Sequence, residues 1–127
     1  MVLSKEMAEH NIVGYNGEER AAEYLMAKGY SILERNWHFK HKELDIVATK
    51  DGMLVIVEVK TRSNDRYGSP LNAINARKIR NTVDAANAYV RYRKLDMPIR
   101  FDIVTLVEAD GTLEHIEDAF HSPLWHR

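Results

Sequence analysis

The sequence predicts one domain that contains both helices and strands. Three observations support this: a helical segment closed by Gly29, two runs of β-branched residues joined by Asp51 and Gly52, and a second helical segment followed by an alternating apolar run. A chain of 127 residues is long enough for one core and too short for two. We expect residues 1–13 to form a tail or a short helix and residues 14–127 to form the domain.

The first helix is predicted over residues 17–28. Asn16 is a suitable N-cap residue, and Glu19 follows three positions later, as in a capping box. Gly29 comes directly after the segment and is the residue type that most often ends a helix. The helix boundaries therefore follow from local signals alone.

Glu18 lies on the same face of this helix as its apolar residues, which are Ala21, Ala22 and Leu25. Two interpretations remain open. The carboxylate gains from the helix dipole because it lies in the first turn. Alternatively it points inward and needs a cation as partner, since an unpaired buried acid is costly.

Residues 30–37 predict a strand, and residues 43–60 predict a β-hairpin. An Asp-Gly turn at 51 and 52 is a strong signal for a two-residue hairpin loop, and it fixes the pairing of the two strands. One face of this hairpin is wholly apolar, and we expect it to be buried. That face consists of Leu44, Ile46, Ala48, Val55, Val57 and Val59.

The hairpin register brings charged residues together at its open end. Counting outward from the turn, Asp45 faces Glu58 and Glu43 faces Lys60. Two carboxylates directly opposite each other repel, so we expect a cation between them. Mg²⁺ accepts such ligands, and Lys60 would stabilise developing charge or position a water beside them. The alternative is a solvated strand end in which Lys60 pairs with Glu43 or Glu58.

A polar loop and a second helix follow the hairpin. Ser69 and Pro70 suit an N-cap and the first helical position, which predicts a helix over residues 71–94. Arg77 and Lys78 point away from the apolar stripe of this helix, so we expect them to be available to a partner.

Basic residues are concentrated in one part of the chain. Residues 60–94 contain nine Lys or Arg and two Asp, so this segment carries +7 and the remainder −8, although the net charge is −1. A basic segment that starts at an acidic centre suits a phosphate backbone. An ordinary solvated helix face remains the alternative for the charges near Arg91.

The last part of the chain predicts two strands, over residues 99–107 and 113–116, joined by a second Asp-Gly turn. Asp102 lies in the middle of the first strand among apolar residues. We expect it to be structural and to pair with Arg100 or a backbone donor. A remote role in the acidic site is the alternative.

The composition excludes several classes of protein. There is no cysteine, which rules out disulfides, thiolate nucleophiles and cysteine-based zinc sites. No apolar run approaches the roughly 18 residues of a membrane span, and the N-terminus lacks a signal-peptide core. We therefore expect a cytoplasmic protein without a membrane partner.

Short motifs are spread along the chain after residue 13. They are Gly14-Tyr15-Asn16-Gly17-Glu18 with Ala21, Gly29-Tyr30, Asn36-Trp37, Glu43-Leu44-Asp45-Ile46, Val57-Glu58-Val59-Lys60-Thr61-Arg62, Gly68 with Pro70, Lys78, and Arg100-Phe101-Asp102. In this order they resemble the PD-(D/E)xK nuclease superfamily. More narrowly, they resemble the small bacterial YraN family, which is similar to archaeal Holliday-junction resolvases. One departure is Lys42, where that family usually has Gly.

The resemblance implies an α/β, restriction-endonuclease-like fold, in which helices flank a central mixed β-sheet in the order α-β-β-β-α-β-β. It implies Glu18, Asp45, Glu58 and Lys60 as the active residues. It also implies a divalent metal, usually Mg²⁺ with Mn²⁺ as a substitute, that activates water for phosphodiester hydrolysis. Asp45, Glu58 and the carbonyl of Val59 would hold this metal.

We therefore predict a metal-dependent endonuclease that acts on DNA, with branched or junction DNA as the expected substrate. Arg62, Arg66, Arg77 and Lys78 would contact phosphates without sequence preference. Symmetric cutting of a junction needs two sites, which would favour a homodimer. The alternative is a non-catalytic nucleic-acid-binding protein that keeps the nuclease fold.

Overall fold

A computed structural model describes residues 17–63 and 74–121 of the chain. The elements in these ranges are α1 (17–27), β1 (Ser31–Phe39), β2 (Lys42–Lys50), β3 (Met53–Arg62), α2 (Ala76–Arg93), β4 (Ile99–Val107) and β5 (Thr112–Phe120). This is the predicted order of helices and strands. The predicted tail at 1–13, the Asn16 cap, Arg66, and the Ser69 and Pro70 signals lie outside the described residues.

The five strands form one sheet in the order β1-β2-β3-β4-β5. Strands β3 and β4 pair in parallel, and the other three pairs are antiparallel. A parallel pair needs a crossover connection, and the chain between β3 and β4 contains α2. The sheet is therefore mixed, which confirms the predicted α/β class.

Each face of the sheet is covered by one helix. The α1-side core contains Ala21, Ala22, Leu25, Tyr30, Ile46, Ala48, Val55, Val57, Val104 and Leu106. The α2-side core contains Leu44, Val47, Leu54, Ile56, Val83, Ala85, Ala86, Tyr89, Phe101, Ile103 and Phe120. Because both faces of the central strands are buried, β3 and β4 are almost continuously apolar.

The predicted hairpin register is confirmed next to the turn. Lys50 pairs with Met53, and the pairing continues without a shift to Ile46 and Val57. Asp51 and Gly52 both have positive φ, 52° and 76°, as a two-residue turn of this kind requires. The first strand of the hairpin is thus held in the register that the Asp-Gly turn predicts.

Leu44 departs from the predicted alternation. It is fully buried in the α2-side core, whereas Ile46 lies in the α1-side core. The neighbouring strand β1 changes face at the same position. Arg35, which pairs with Ile46, forms an ion pair with Glu19 of α1. Trp37, which pairs with Leu44, packs against Tyr89 of α2. Asn36, between them, has φ of 52°. In β1 this left-handed residue breaks the two-residue alternation, and in β2 the change of face occurs where the β2–β3 ladder ends, at Ile46.

The two helices differ in how well their ends were predicted. Gly29 ends α1 as expected: it has φ of 93°, and the Tyr30 N–H donates to the Leu25 carbonyl. In α2 the cap is Asn75, whose side chain accepts the Lys78 N–H and whose backbone is extended. A helix that runs unbroken from residue 71 is therefore wrong, because residues 74 and 75 are not helical.

Both edge strands contain a residue with a left-handed backbone. Asn36 in β1 has φ of 52°, and Asp118 in β5 has φ of 53°. The pairing register also shifts within the β1–β2 pair and within the β4–β5 pair. Strand β5 extends to Phe120, four residues beyond the predicted end at residue 116.

Within the described ranges, neither helix is long and apolar enough to cross a membrane.

Candidate active site

The predicted active residues lie at the end of the sheet where β3 finishes and β2 begins. The start of α1 approaches the same end on one face. Gly17 is buried there, and a Cβ at this position would clash with Thr61 Oγ1 near the end of β3. The absence of a side chain at Gly17 therefore allows the first turn of α1, and with it Glu18, to lie close to the strand that carries Glu58 and Lys60.

Asp45 lies just beyond the last paired residues of the β2–β3 ladder. Its side chain takes over a bond to β3, since the Val59 N–H donates to Asp45 Oδ2 at 2.9 Å. Asp45 and Glu58 are thus not a cross-strand pair, and Glu43 and Lys60 are not one either, contrary to the predicted register. The ladder ends three pairs before the predicted Glu43–Lys60 pair, where the Asp45 carboxylate, rather than a backbone carbonyl, accepts the Val59 N–H.

The environment of Asp45 disfavours its charge. Burial raises the pKa of Asp45 most, and the negative charge of Glu58 raises it further. The Val59 N–H lowers the pKa, Glu18 raises it, and Lys78 lowers it, with a net result of about 7. Three acids predicted from the sequence therefore interact electrostatically at this end of the sheet.

Glu58 is buried, with 2% of its surface exposed. Its Oε1 forms an ion pair with Lys78 Nζ at 2.9 Å. Its Oε2 is also buried, and no described residue forms a hydrogen bond with it. A buried carboxylate oxygen without a donor is costly, so this atom marks a position where a cation or a water would be stabilised.

Lys60 lies two residues after Glu58 on β3 and pairs in register with Thr105 of β4. It is half-buried. Among the described residues it forms no ion pair with Glu43 or Glu58, because Glu58 pairs with Lys78 and Glu43 lies 3.8 Å from His38. The alternative of a solvated strand end tied together by Lys60 is therefore wrong for this part of the chain.

Lys78 is not available to a partner in the way the sequence suggested. Burial lowers the pKa of Lys78, but its bond to Glu58 and the charges of Glu58, Asp45 and Glu43 outweigh burial and raise the pKa. The helical pattern placed Lys78 away from the α2 stripe, but it could not show that the Glu58 carboxylate lies within reach.

A sequence comparison bears on this arrangement. The sequence model of the uncharacterised protein family UPF0102 matches residues 17–106, which is more than half of the chain. The chain belongs to the UPF0102 family. The matched range includes α1, β1 to β4 and α2, so all four predicted active residues lie within it.

Bacterial UPF0102 proteins are similar to the chain over nearly its whole length. The relative from Phocaeicola vulgatus is 53% identical over 121 residues, which is 94% of this chain and 100% of the relative. The relative from Parabacteroides distasonis is 52% identical over 119 residues, covering 92% and 98%. The protein FP2501 of Flavobacterium psychrophilum is 50% identical over 117 residues, covering 91% and 98%. These three relatives therefore match the chain over nearly their whole length.

Two further predicted site residues of this UPF0102 chain, Arg62 and Arg77, lie at the same end of the sheet. Arg62 is half-buried at the last position of β3. Arg77 is exposed in the first turn of α2, next to Lys78. Arg66 lies outside the described residues. No group of three acidic or histidine side chains within 17–63 and 74–121 is arranged to hold a metal ion as it stands. The structure thus brings Asp45, Glu58 and Lys78 together without forming a complete ligand set from side chains alone.

A second polar cluster surrounds Asp102 on β4. As predicted, Asp102 pairs with Arg100 and accepts a backbone N–H, that of Asp118. The sequence did not predict His115, whose Nε2 lies 2.8 Å from Asp102 Oδ2, or Tyr24, whose Oη lies 2.9 Å from His115 Nδ1. An isolated His on an edge strand has no local signal for such a contact. The cluster joins α1, β4 and β5, which supports the structural interpretation of Asp102.

Proposed function

We propose that this UPF0102 protein is a metal-dependent endonuclease of the PD-(D/E)xK type that hydrolyses phosphodiester bonds in DNA. The observation that carries the proposal is the buried Glu58 carboxylate. One of its oxygens has no hydrogen-bond partner within residues 17–63 and 74–121, and its neighbour Asp45 has a pKa raised to about 7 by burial and by the charges of Glu58 and Glu18. Acids that repel each other in a buried place suit a cation-binding site better than a structural one.

The donor set is chemically suited to Mg²⁺, with Mn²⁺ as a substitute. Mg²⁺ uses one or two carboxylates and fills its remaining positions with waters and substrate oxygens. Asp45 and Glu58 would hold the ion, with the carbonyl of Val59 as a further ligand. Two carboxylates are enough, so the absence of a third acidic or histidine ligand among the described residues does not conflict with this assignment. When bound, the ion would supply an activated water and Lewis-acid stabilisation of the phosphate.

The residues of the chain would have distinct roles. The Val59 N–H fixes the Asp45 carboxylate in position. Lys60 carries an ammonium two residues after Glu58, and it would orient the nucleophilic water or stabilise charge that develops on the phosphate. Glu18 is a further acid at the start of α1, acting directly or through water. Hydrolysis breaks one P–O bond of the backbone, and the water supplies the new oxygen on phosphorus.

Basic residues around this end would bind the DNA backbone. Arg62, Arg77 and Lys78 lie at the ends of β3 and α2 that meet at the site, and Arg66 belongs to the connecting segment. Contacts to phosphates carry no sequence information, so we propose recognition of DNA shape, with branched or junction DNA as substrate. Symmetric junction cutting would need a homodimer. The cysteine-free sequence suits a cytoplasmic location.

A second candidate is a non-catalytic nucleic-acid-binding protein. The observation that favours it is the ion pair between Glu58 and Lys78, since an ammonium already compensates one of the carboxylates. On this proposal the acidic end is neutralised internally and the basic residues alone bind DNA. It predicts DNA affinity that is unaffected by Mg²⁺ and no cleavage.

The two candidates are separated by a cleavage assay. Purified protein is incubated with linear, flapped and four-way DNA and with RNA, with Mg²⁺, with Mn²⁺ or with a chelator. We expect metal-dependent cleavage of branched DNA that Asp45→Asn abolishes. We expect Lys60→Ala to lower the rate by about 10²–10³-fold, the usual cost of losing one group that stabilises transition-state charge.

Two matched variants control for general effects of charge. Asp96→Asn and Lys28→Ala change exposed residues on the turns after α2 and α1, and both should cleave like wild type. Cleavage that persists in Asp45→Asn and Lys60→Ala would point to a contaminating nuclease. Metal-independent binding without cleavage in every condition would favour the non-catalytic candidate.

A further inference from the structure

The first turn of α2 has an unusual charge pattern. It contains no acidic residue, although the start of a helix favours negative charge, and instead it carries Arg77 and Lys78. Lys78 lies three residues after the Asn75 cap, so its ammonium lies near the positive end of the helix dipole. This arrangement is unfavourable for the helix alone, and in the structure it is offset by the bond from Lys78 to Glu58.

The two partners in this bond differ in their freedom to move. The Glu58 side chain is 3% exposed, whereas the Lys78 side chain is 35% exposed. Glu58 lies on the central strand β3 and pairs in register with Ile103 of β4. Lys78 has a flexible four-carbon stem at a helix start, so it can turn towards solvent without disturbing the core. If the pair separates, Lys78 is the residue that moves.

We propose that Lys78 is a built-in counter-cation of the acidic site, which leaves Glu58 when a divalent metal ion binds and then contacts a phosphate of the substrate. This inference rests on the proposed function, because it requires a metal at Asp45 and Glu58. An ammonium and a divalent cation on one buried carboxylate would repel each other strongly, since charges are poorly screened away from water. The metal therefore competes with Lys78 rather than joining it.

The released ammonium has a suitable partner in the substrate. The N-terminus of a helix favours a phosphate through its dipole and its free N–H groups, and Arg77 adds a second cation in the same turn. Once Lys78 has left Glu58, all of this positive charge faces the DNA. Metal binding and DNA binding are then coupled, and the coupling must be reciprocal.

The test is Mn²⁺ binding without nucleic acid, measured by isothermal titration calorimetry on the full chain at pH 8. Lys78→Met removes the competing ammonium and should tighten Mn²⁺ binding about tenfold, within the usual range of coupling between sites. Arg77→Met removes a charge from the same turn without removing the bond to Glu58. It should bind Mn²⁺ within about twofold of wild type, which controls for long-range charge.

Thermal unfolding provides a second readout, which shows whether Lys78→Met is folded. Without metal this variant should melt below wild type, because Glu58 has lost its partner. With saturating Mn²⁺ its increase in Tm should exceed that of wild type, since tighter ligand binding stabilises the folded state more. A four-way DNA in Ca²⁺, used to suppress cleavage, should bind Lys78→Met more weakly than wild type.

The outcomes separate this inference from the proposed function. If wild type binds Mn²⁺ and Asp45→Asn does not, but Lys78→Met binds no tighter than wild type, the counter-cation role is wrong and the metal site stands. If neither wild type nor Lys78→Met binds Mn²⁺, both proposals fail. A Lys78→Met variant that shows no Mn²⁺-induced increase in Tm also overturns the proposal that Lys78 and the metal ion compete for Glu58.

Discussion

Two strand aspartates, the half-buried Asp45 and the fully buried Asp102, have similar local sequences and opposite environments. Asp45 and Asp102 are each followed by Ile-Val in a strand and preceded by a large apolar residue. The pKa of Asp102 is lowered, and that of Asp45 is raised to about 7. The difference shows that the donors and charges around the carboxylate, and not the residues on either side of it in the sequence, decide whether its charge is stabilised.

Asp102 is saturated with donors. Arg100 donates through Nε at 2.9 Å and through Nη2 at 2.8 Å, and the Asp118 N–H donates at 3.0 Å. His115 Nε2 lies a further 2.8 Å away. Burial raises the pKa of Asp102, but these bonds together outweigh burial. Among the described residues Asp45 accepts a hydrogen bond from the Val59 N–H, and the charges around it include two further acids, Glu58 and Glu18.

The largest expected effect on stability comes from removing the carboxylate of Asp102. Asp102→Ala leaves Arg100 without its main partner, and we expect a loss of about 3–5 kcal/mol in the free energy of unfolding, as when one member of a buried ion pair is removed. Chemical denaturation by urea measures this loss. Asp96→Ala, at an exposed position, should change stability by less than about 0.5 kcal/mol.

A loss near 0.5 kcal/mol for Asp102→Ala would contradict the comparison. It would mean that the four short contacts are no better than solvation in water. Asp45 and Asp102 would then differ in their contacts without a matching difference in their contribution to the free energy of unfolding.

The second effect is a pH dependence of opposite sign at the two acids. The pKa of Asp45 is raised on folding, so the folded state binds the proton more tightly and wild type loses stability as pH rises from about 4 to above 7. With a shift from 3.8 to about 7, the loss is about 2–4 kcal/mol, which Asp45→Asn should abolish in the absence of divalent metal. Urea unfolding at pH 5 and pH 8 in a chelator measures it.

Asp102 provides the matched control, because it should change stability with pH in the opposite direction. Its pKa is lowered on folding, so its contribution is present above 3.8 and is lost as pH falls below that value. Asp102→Asn should flatten the acid side of the profile and leave the slope between pH 5 and pH 8 intact. If the free energy of unfolding of Asp45→Asn falls between pH 5 and pH 8 as steeply as that of wild type, the surroundings of Asp45 do not disfavour its charge.

The smallest effect tests how far the Asp102 cluster extends. Tyr24→Phe removes the hydroxyl that lies 2.9 Å from His115 Nδ1, and we expect a loss of about 0.5–1.5 kcal/mol, typical of one hydrogen bond. Tyr92→Phe is the control, because that residue is 68% exposed. Equal stability of the two variants would restrict the cluster to Asp102, Arg100 and His115.

Much of the fold follows from local sequence. Strand β4 was predicted over 99–107 and is found at Ile99–Val107, because an apolar run after Pro98 leaves little choice. Gly29 ends α1 and the Asp-Gly turn sets the hairpin register, since both need positive φ. The start of α2 was misplaced because Ser69 with Pro70 and Asn75 are competing cap signals, and periodicity does not separate them.

The candidate site was only partly predictable. The Asp-Gly turn places Asp45 and Glu58 on the neighbouring strands β2 and β3, but the turn alone did not show that Asp45 accepts the Val59 N–H instead of pairing with Glu58 in the ladder. It did not predict the bond between Glu58 and Lys78, because that contact depends on how α2 lies across the sheet. His115 and Tyr24 are 91 residues apart, so their contact is set by the packing of α1 on β5 and has no local pattern.

The left-handed residues Asn36 and Asp118 have a consequence beyond their own strands. Each lies in an edge strand, where a left-handed residue interrupts the regular row of backbone N–H and C=O groups that could pair with another strand. Both margins of the sheet therefore carry a feature that discourages edge-to-edge aggregation.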